Sequence, residues 1–174
     1  MTASKTKRPK RKPPKEPAPW DPSIVVFACN WCSYAGADTA GVSRIQHQPH
    51  FRMIRVMCSG RIQPGFVLRA FEKGADGVLV SGCHFGDCHY VFGNEKAVEQ
   101  FEKTKSVVKM LGLEEGRLRL EWISAAEGAR FAQVIDEFIE QLRELGPSPL
   151  SRARSGDEAA GALTPEAEEV EARV

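Results

Sequence analysis

Four short apolar, β-branched runs recur along the chain: residues 23–28 (SIVVFA), 53–57 (MIRVM), 77–80 (GVLV) and 118–123 (LRLEWI). Runs of this length bounded by turn residues predict strands. Each is followed by a stretch with helical character. Pro64 suits the first turn of a helix running through Phe66, Leu68 and Phe71. Val98, Phe101, Val108 and Leu111 make one apolar face that stops at Gly112. Phe131, Val134, Ile135, Phe138, Leu142 and Leu145 make another, and Ser124-Ala125-Ala126-Glu127 reads as the capping box that starts it.

The predicted order is therefore βαβαβαβα. Parallel strands need crossovers, and right-handed crossovers lay helices over both faces of the sheet. The expected fold is a small flavodoxin-like or Rossmann-like α/β domain with a parallel sheet of about four strands. No repeat of fixed period is present.

Charge redraws the boundaries. The 174 residues carry a net charge of only +1, which points to no nucleic acid or other polyanionic partner. The first 19 residues, however, hold seven Lys/Arg and one Glu, while residues 151–174 hold three Arg and six Asp/Glu. Segments so poor in apolar side chains do not repay their ordering entropy. The chain is thus expected to divide into a basic, Pro-rich tail (1–22), a folded domain (23–146) and an acidic tail (147–174). The start lacks the apolar core of a secretory signal, and no run approaches a membrane span, so a cytoplasmic protein is expected.

Placing the five cysteines on this scheme changes the picture most. Cys29 and Cys32 follow the first strand, Cys58 the second, and Cys83 and Cys88 the third. All are expected on the carboxyl edge of the sheet, where open α/β folds bind ligands. A lone Cys is usually a small buried hydrophobe, but five on one edge call for chemistry. Structural disulfides suit neither the expected compartment nor a core of this size. A Cys29/Cys32 redox dithiol at a helix start leaves three thiols unexplained. Metal binding accounts for more, because thiolates select zinc or iron–sulfur. Gly60, Gly82 and Gly86, with free backbone N–H groups around the sulfurs, suit a cluster. Spacing alone leaves zinc and iron both open.

The other polar residues are expected to be bystanders. His84 and His89 read as loop residues, His47 and His50 as surface residues, and Asp38 and Asp87 as caps of turns or helix starts. Trp31, Tyr34, Phe85, Tyr90 and Phe92 are candidates for an apolar shield or docking surface around the thiols, with ordinary packing as the rival reading.

Three stretches, CNWCSYAGADTAG, RVMCSGRIQPGFVLRAFEKGADGVLVSGCHFGDCHYVFGN and LGLEEGRLRLEWISAAEGARFAQVIDEF, resemble the delta subunit family of methyl-viologen-reducing hydrogenase. The resemblance runs from about residue 24 to 145. It implies one 2Fe-2S cluster and an electron-transfer subunit with no activity of its own. Such a subunit passes electrons between an oxidoreductase core (hydrogenase, formate dehydrogenase or similar) and a heterodisulfide-reductase-type flavoprotein. The five family cysteines match Cys29, Cys32, Cys58, Cys83 and Cys88. In a 2-1-3-4 strand order the ligand crevice opens between strands one and three, so Cys29, Cys32, Cys83 and Cys88 are expected as ligands, with Cys58 as the alternative fourth. A zinc-stabilised binding module and the Cys29/Cys32 dithiol protein are the competing readings. The two tails are not part of the resemblance.

Overall fold

The computed structural model describes residues 20–151; the expectations for both tails fall largely outside them. In chain order the elements are β1 (Ile24–Cys29), α1 (Ser33–Val42), β2 (Phe51–Val56), α2 (Pro64–Glu72), β3 (Gly77–Gly82), α3 (Gly93–Met110), β4 (Leu118–Trp122) and α4 (Gly128–Leu145). Two single 3₁₀ turns, Ser59–Arg61 and Glu115–Arg117, precede α2 and β4. The four strands form one parallel sheet in the order β2-β1-β3-β4. This is the expected α/β fold and the expected strand order.

Why the order is stable follows from burial. The inner strand β3 is buried along its whole length and reads as a continuous apolar run, as a strand covered on both faces should. The edge strand β2 has no fully buried residue, and Arg52, Ile54 and Arg55 are exposed. On one face Ile24, Val26 and Leu79 pack against Phe131, Ile135, Phe138 and Leu142 of α4. On the other, Phe27, Val78 and Val80 pack against Val67 and Phe71 of α2 and Val108 of α3. α1 has no apolar stripe and docks instead through small residues. A Cβ on its Gly36 would stand 2.7 Å from the Ser124 carbonyl oxygen, and one on Gly128 would stand 2.6 Å from the Ala40 nitrogen.

Several local expectations need correcting. The buried face of α3 runs through Ala97, Thr104 and Val108, with Phe101 packed against the core, whereas Leu111 is exposed. Leu111 caps the helix just past its last residue, and the following Gly112 (φ 74°) turns the chain away. In α2 the buried residues are Val67 and Phe71, and Phe66 is exposed. The capping box is half formed: the Glu127 carboxylate accepts from the Ser124 N–H at 2.7 Å, but helix α4 starts only at Gly128. Asp38 lies inside α1 and caps nothing. His47 is half-buried, edge-on to Phe131 at 5.8 Å, rather than on the surface.

At the amino edge of the sheet, buried Asp76 accepts from the Ser23 N–H and from the Ser148 N–H, each at 2.9 Å. Beside it Arg117, 1% exposed, pairs with Glu114 and donates to the carbonyl oxygens of Asp76 and Gly146. Those carbonyls satisfy a buried guanidinium that would otherwise be costly.

Candidate metal centre

The opposite, carboxyl edge collects all five thiols. Cys29 is the last residue of β1, and Cys32 is the residue before α1. Cys58 opens the Ser59–Arg61 turn. Cys83 follows β3 directly, and Cys88 lies in the loop to α3. Because β1 continues to β2 on one side and the chain later returns to β3 on the other, the loops diverge here and leave a crevice.

The thiols form two neighbouring groups. Cys29 and Cys83, each 1% exposed, lie with their sulfurs 3.7 Å apart. Two thiolates on one tetrahedral ion, each bonded at ~2.3 Å, would stand about 3.8 Å apart, so this pair already has that span. Cys83 also hydrogen-bonds Cys32. The sulfurs of Cys58 and Cys88 both lie beside Gly93, and the charge of Cys88 also acts on Cys32. Among the described residues, no set of three or more His, Cys, Asp or Glu side chains is arranged to hold a single ion. The thiols gather at one crevice on the carboxyl edge of the sheet.

Electrostatics supports a cationic occupant. Burial pushes the Cys83 thiol far up, and its thiol neighbours Cys32 and Cys29 push the same way. Burial likewise raises Cys32 and Cys58. Such crowded thiols ionise only when positive charge joins them, which is what a coordinated metal supplies. Cys88 differs. Burial opposes its ionisation, but the backbone N–H groups of Tyr90, Asn94 and Gly93 outweigh that and hold its thiol below the usual value. The Gly60 N–H also donates to Cys58. Sulfur atoms met by several backbone donors are the expected surroundings of an iron–sulfur cluster.

The start of α3 makes this possible. A Cβ on Gly93 would collide with the Cys58 sulfur and stand 3.1 Å from that of Cys88. Asn94, 1% exposed, then bonds the carbonyl oxygens of Cys83 and His84 at 3.4 and 2.9 Å and accepts from the Glu95 N–H. It ties one cysteine loop to the helix. Sequence reasoning missed both residues, although GN after an aromatic-rich loop was a visible helix-start signal.

The imidazoles have other partners. His84 Nε2 lies 2.6 Å from Glu127 Oε2. His89 stacks on Trp31 at 3.9 Å between centroids and 18° between planes, and Trp31 Nε1 donates to the Tyr90 hydroxyl at 3.3 Å. This aromatic clasp joins the Cys29–Cys32 loop to the Cys83–Cys88 loop. Tyr34 packs into the core under Arg55, and Phe85 lies edge-on to Trp122. Asp87 is exposed in the turn closed by its N–H to the His84 carbonyl oxygen.

The fold and the site define a Rossmann-like α/β protein built around a thiol-rich centre of the kind soft metals select. Residues 24–146 match the family described as methyl-viologen-reducing hydrogenase, delta subunit, and the chain belongs to it. It is 50% identical over 131 residues to the vhc iron-sulfur subunit of the F420-non-reducing hydrogenase of Methanococcus voltae, covering 75% of this chain and 91% of that protein. It is also 50% identical over 133 residues to the corresponding iron-sulfur subunit of Archaeoglobus profundus, covering 76% and 97%. A third relative is one of the subunits of the ferredoxin/F(420)H(2)-dependent CoB-CoM heterodisulfide reductase of Methanosarcina acetivorans. There the identity is 54% over 126 residues, which is 72% of this chain but 16% of that protein. Among the described residues no helix is long and apolar enough to cross a membrane.

Proposed function

We propose that the protein is a cytoplasmic electron-transfer subunit carrying one 2Fe-2S cluster, held by Cys29, Cys32, Cys83 and Cys88, with Cys58 in contact as the fifth thiol. The observation that carries this reading is the gathering of five thiols at one sheet edge, two of them 3.7 Å apart. When bound, the cluster would accept and release one electron at a time. The chain's own part is to hold the sulfurs, to aim the N–H groups of Gly60, Tyr90, Gly93 and Asn94 at them, and to limit water with the Trp31–His89 clasp.

The relatives' names support a place between a hydrogenase and a heterodisulfide reductase; a formate dehydrogenase or similar oxidoreductase on one side, and a flavoprotein on the other, is the finer form of this proposal. One group of relatives is named as hydrogenase iron-sulfur subunits, and another carries the same segment inside a much longer heterodisulfide reductase polypeptide. On this reading the protein has no substrate chemistry of its own. The test is anaerobic purification followed by metal and sulfide analysis: about two iron and two acid-labile sulfide per chain, with a visible spectrum bleached by dithionite. Stoichiometric zinc and a colourless protein would instead establish the zinc-stabilised module, and a colourless metal-free protein with an active Cys29/Cys32 pair would establish the dithiol protein.

A further inference from the structure

Beside Cys58 the carboxyl edge opens into a groove of about 440 Å³, lined chiefly by Met57, Cys58, Arg61, Tyr90, Phe92 and Lys96. Three of these are large apolar side chains left 42–58% exposed: Met57, Tyr90 and Phe92. A contiguous exposed apolar patch is the kind of surface that partners cover. The rim is cationic. Lys96 is engaged by Glu99, whereas the exposed side chain of Arg61 makes no ion pair or hydrogen bond within the described residues, although it stands at the groove mouth. Cys29 and Cys83 lie deeper, and the Trp31–His89–Tyr90 group bridges the loops that carry Cys32 and Cys88. Cys58 lines the groove itself, and its sulfur, like that of Cys88, lies beside Gly93.

We infer that this groove is the surface through which the protein exchanges electrons with its redox partner. The partner segment seated there presents an apolar anchor flanked by carboxylates. The anchor fills the Met57–Phe92 trough, and a carboxylate takes the free Arg61 guanidinium, for which a bidentate pair is the favoured geometry. Seating at this point brings the partner against Cys58, the thiol that lines this groove and a neighbour of Cys88 across Gly93, and electron transfer falls off steeply with distance. The inference rests on the iron–sulfur reading above.

The test uses the full-length holoprotein, with iron content and visible spectrum measured on every preparation. Reduced protein is mixed with ferricyanide or with hexaammineruthenium(III) in a stopped-flow instrument. Each ion takes one electron, and the protein returns to its oxidised form. With a cationic entry face, Arg61→Glu should slow ferricyanide about tenfold at low salt and speed the ruthenium complex, and both effects should fade by roughly 0.5 M salt. Arg52→Glu, at the amino end of β2, is the charge-matched control and should change neither rate.

In the native complex, a photoreactive residue replacing Met57 should cross-link to an Asp/Glu-bearing segment of a flavin- or iron–sulfur-containing subunit, and Arg61→Glu should abolish the adduct. Iron-loaded Arg61→Glu protein with both rates unchanged would overturn the inference, as would adducts only to a second copy of this chain. Loss of iron and colour from the parent protein would overturn the cluster reading instead, and the cross-link, which needs no cluster, separates the two failures.

Discussion

Each cysteine is held by a different local device, and the substitutions should differ accordingly. Cys83 touches both Cys29 and Cys32 from a fully buried position, so Cys83→Ser should abolish iron binding. Cys88→Ser should do the same, because a serine oxygen is a harder and poorer iron ligand than a thiolate. Cys58→Ser should retain the cluster with a shifted potential, through altered packing and hydrogen bonding around Cys88. His84→Ala and His89→Ala should keep their iron, since one imidazole faces Glu127 and the other Trp31. Iron analysis and redox titration of the series check the assignment. A Cys58→Ser protein without iron, beside a Cys32→Ser protein with an unchanged spectrum, would move the fourth ligand from Cys32 to Cys58.

The helices divide their labour between scaffold and site. Phe138 lies at the far end of the molecule from the thiols, its ring 2.9 Å from where a Cβ on Gly77 would stand. Phe138→Ala should destabilise the fold by ~3–5 kcal/mol through lost burial and the cavity left behind. Denaturant unfolding would show it, while the visible spectrum at rest stays unchanged. The same division explains what the sequence made legible. Strands and the strongly amphipathic α4 announce themselves through periodicity, because each buries one face or both. The cysteine edge was legible too, since strand ends fix where the loops lie. What escaped was contact between loops distant in sequence. The Trp31–His89 stack, the pairing of Cys58 with Cys88, and the seat of both sulfurs against Gly93 depend on how three crossovers converge. No local pattern encodes that. The end of α3 misled for a related reason: a hydrophobic residue at helical spacing still faces water once the helix has stopped.

Across the whole molecule, the described residues build the site from the loops of three βα units. Deleting residues 1–19, with their seven Lys/Arg and almost no apolar side chains, should leave iron content and thermal stability unchanged. Gel filtration and metal analysis of the truncated protein would check this, and loss of soluble, coloured protein would contradict it. Any weakening should appear only in assembly with the larger subunits.

Asp76 has a consequence of a different kind. One carboxylate grips the backbone just before the first strand and again just after the last helix, so the polypeptide enters and leaves the domain side by side, opposite the thiols. A unit wired this way can be spliced into a longer gene like a cassette: both seams fall at one corner, and the working edge stays clear of them. In Methanosarcina acetivorans a similar segment makes up 16% of a much longer polypeptide.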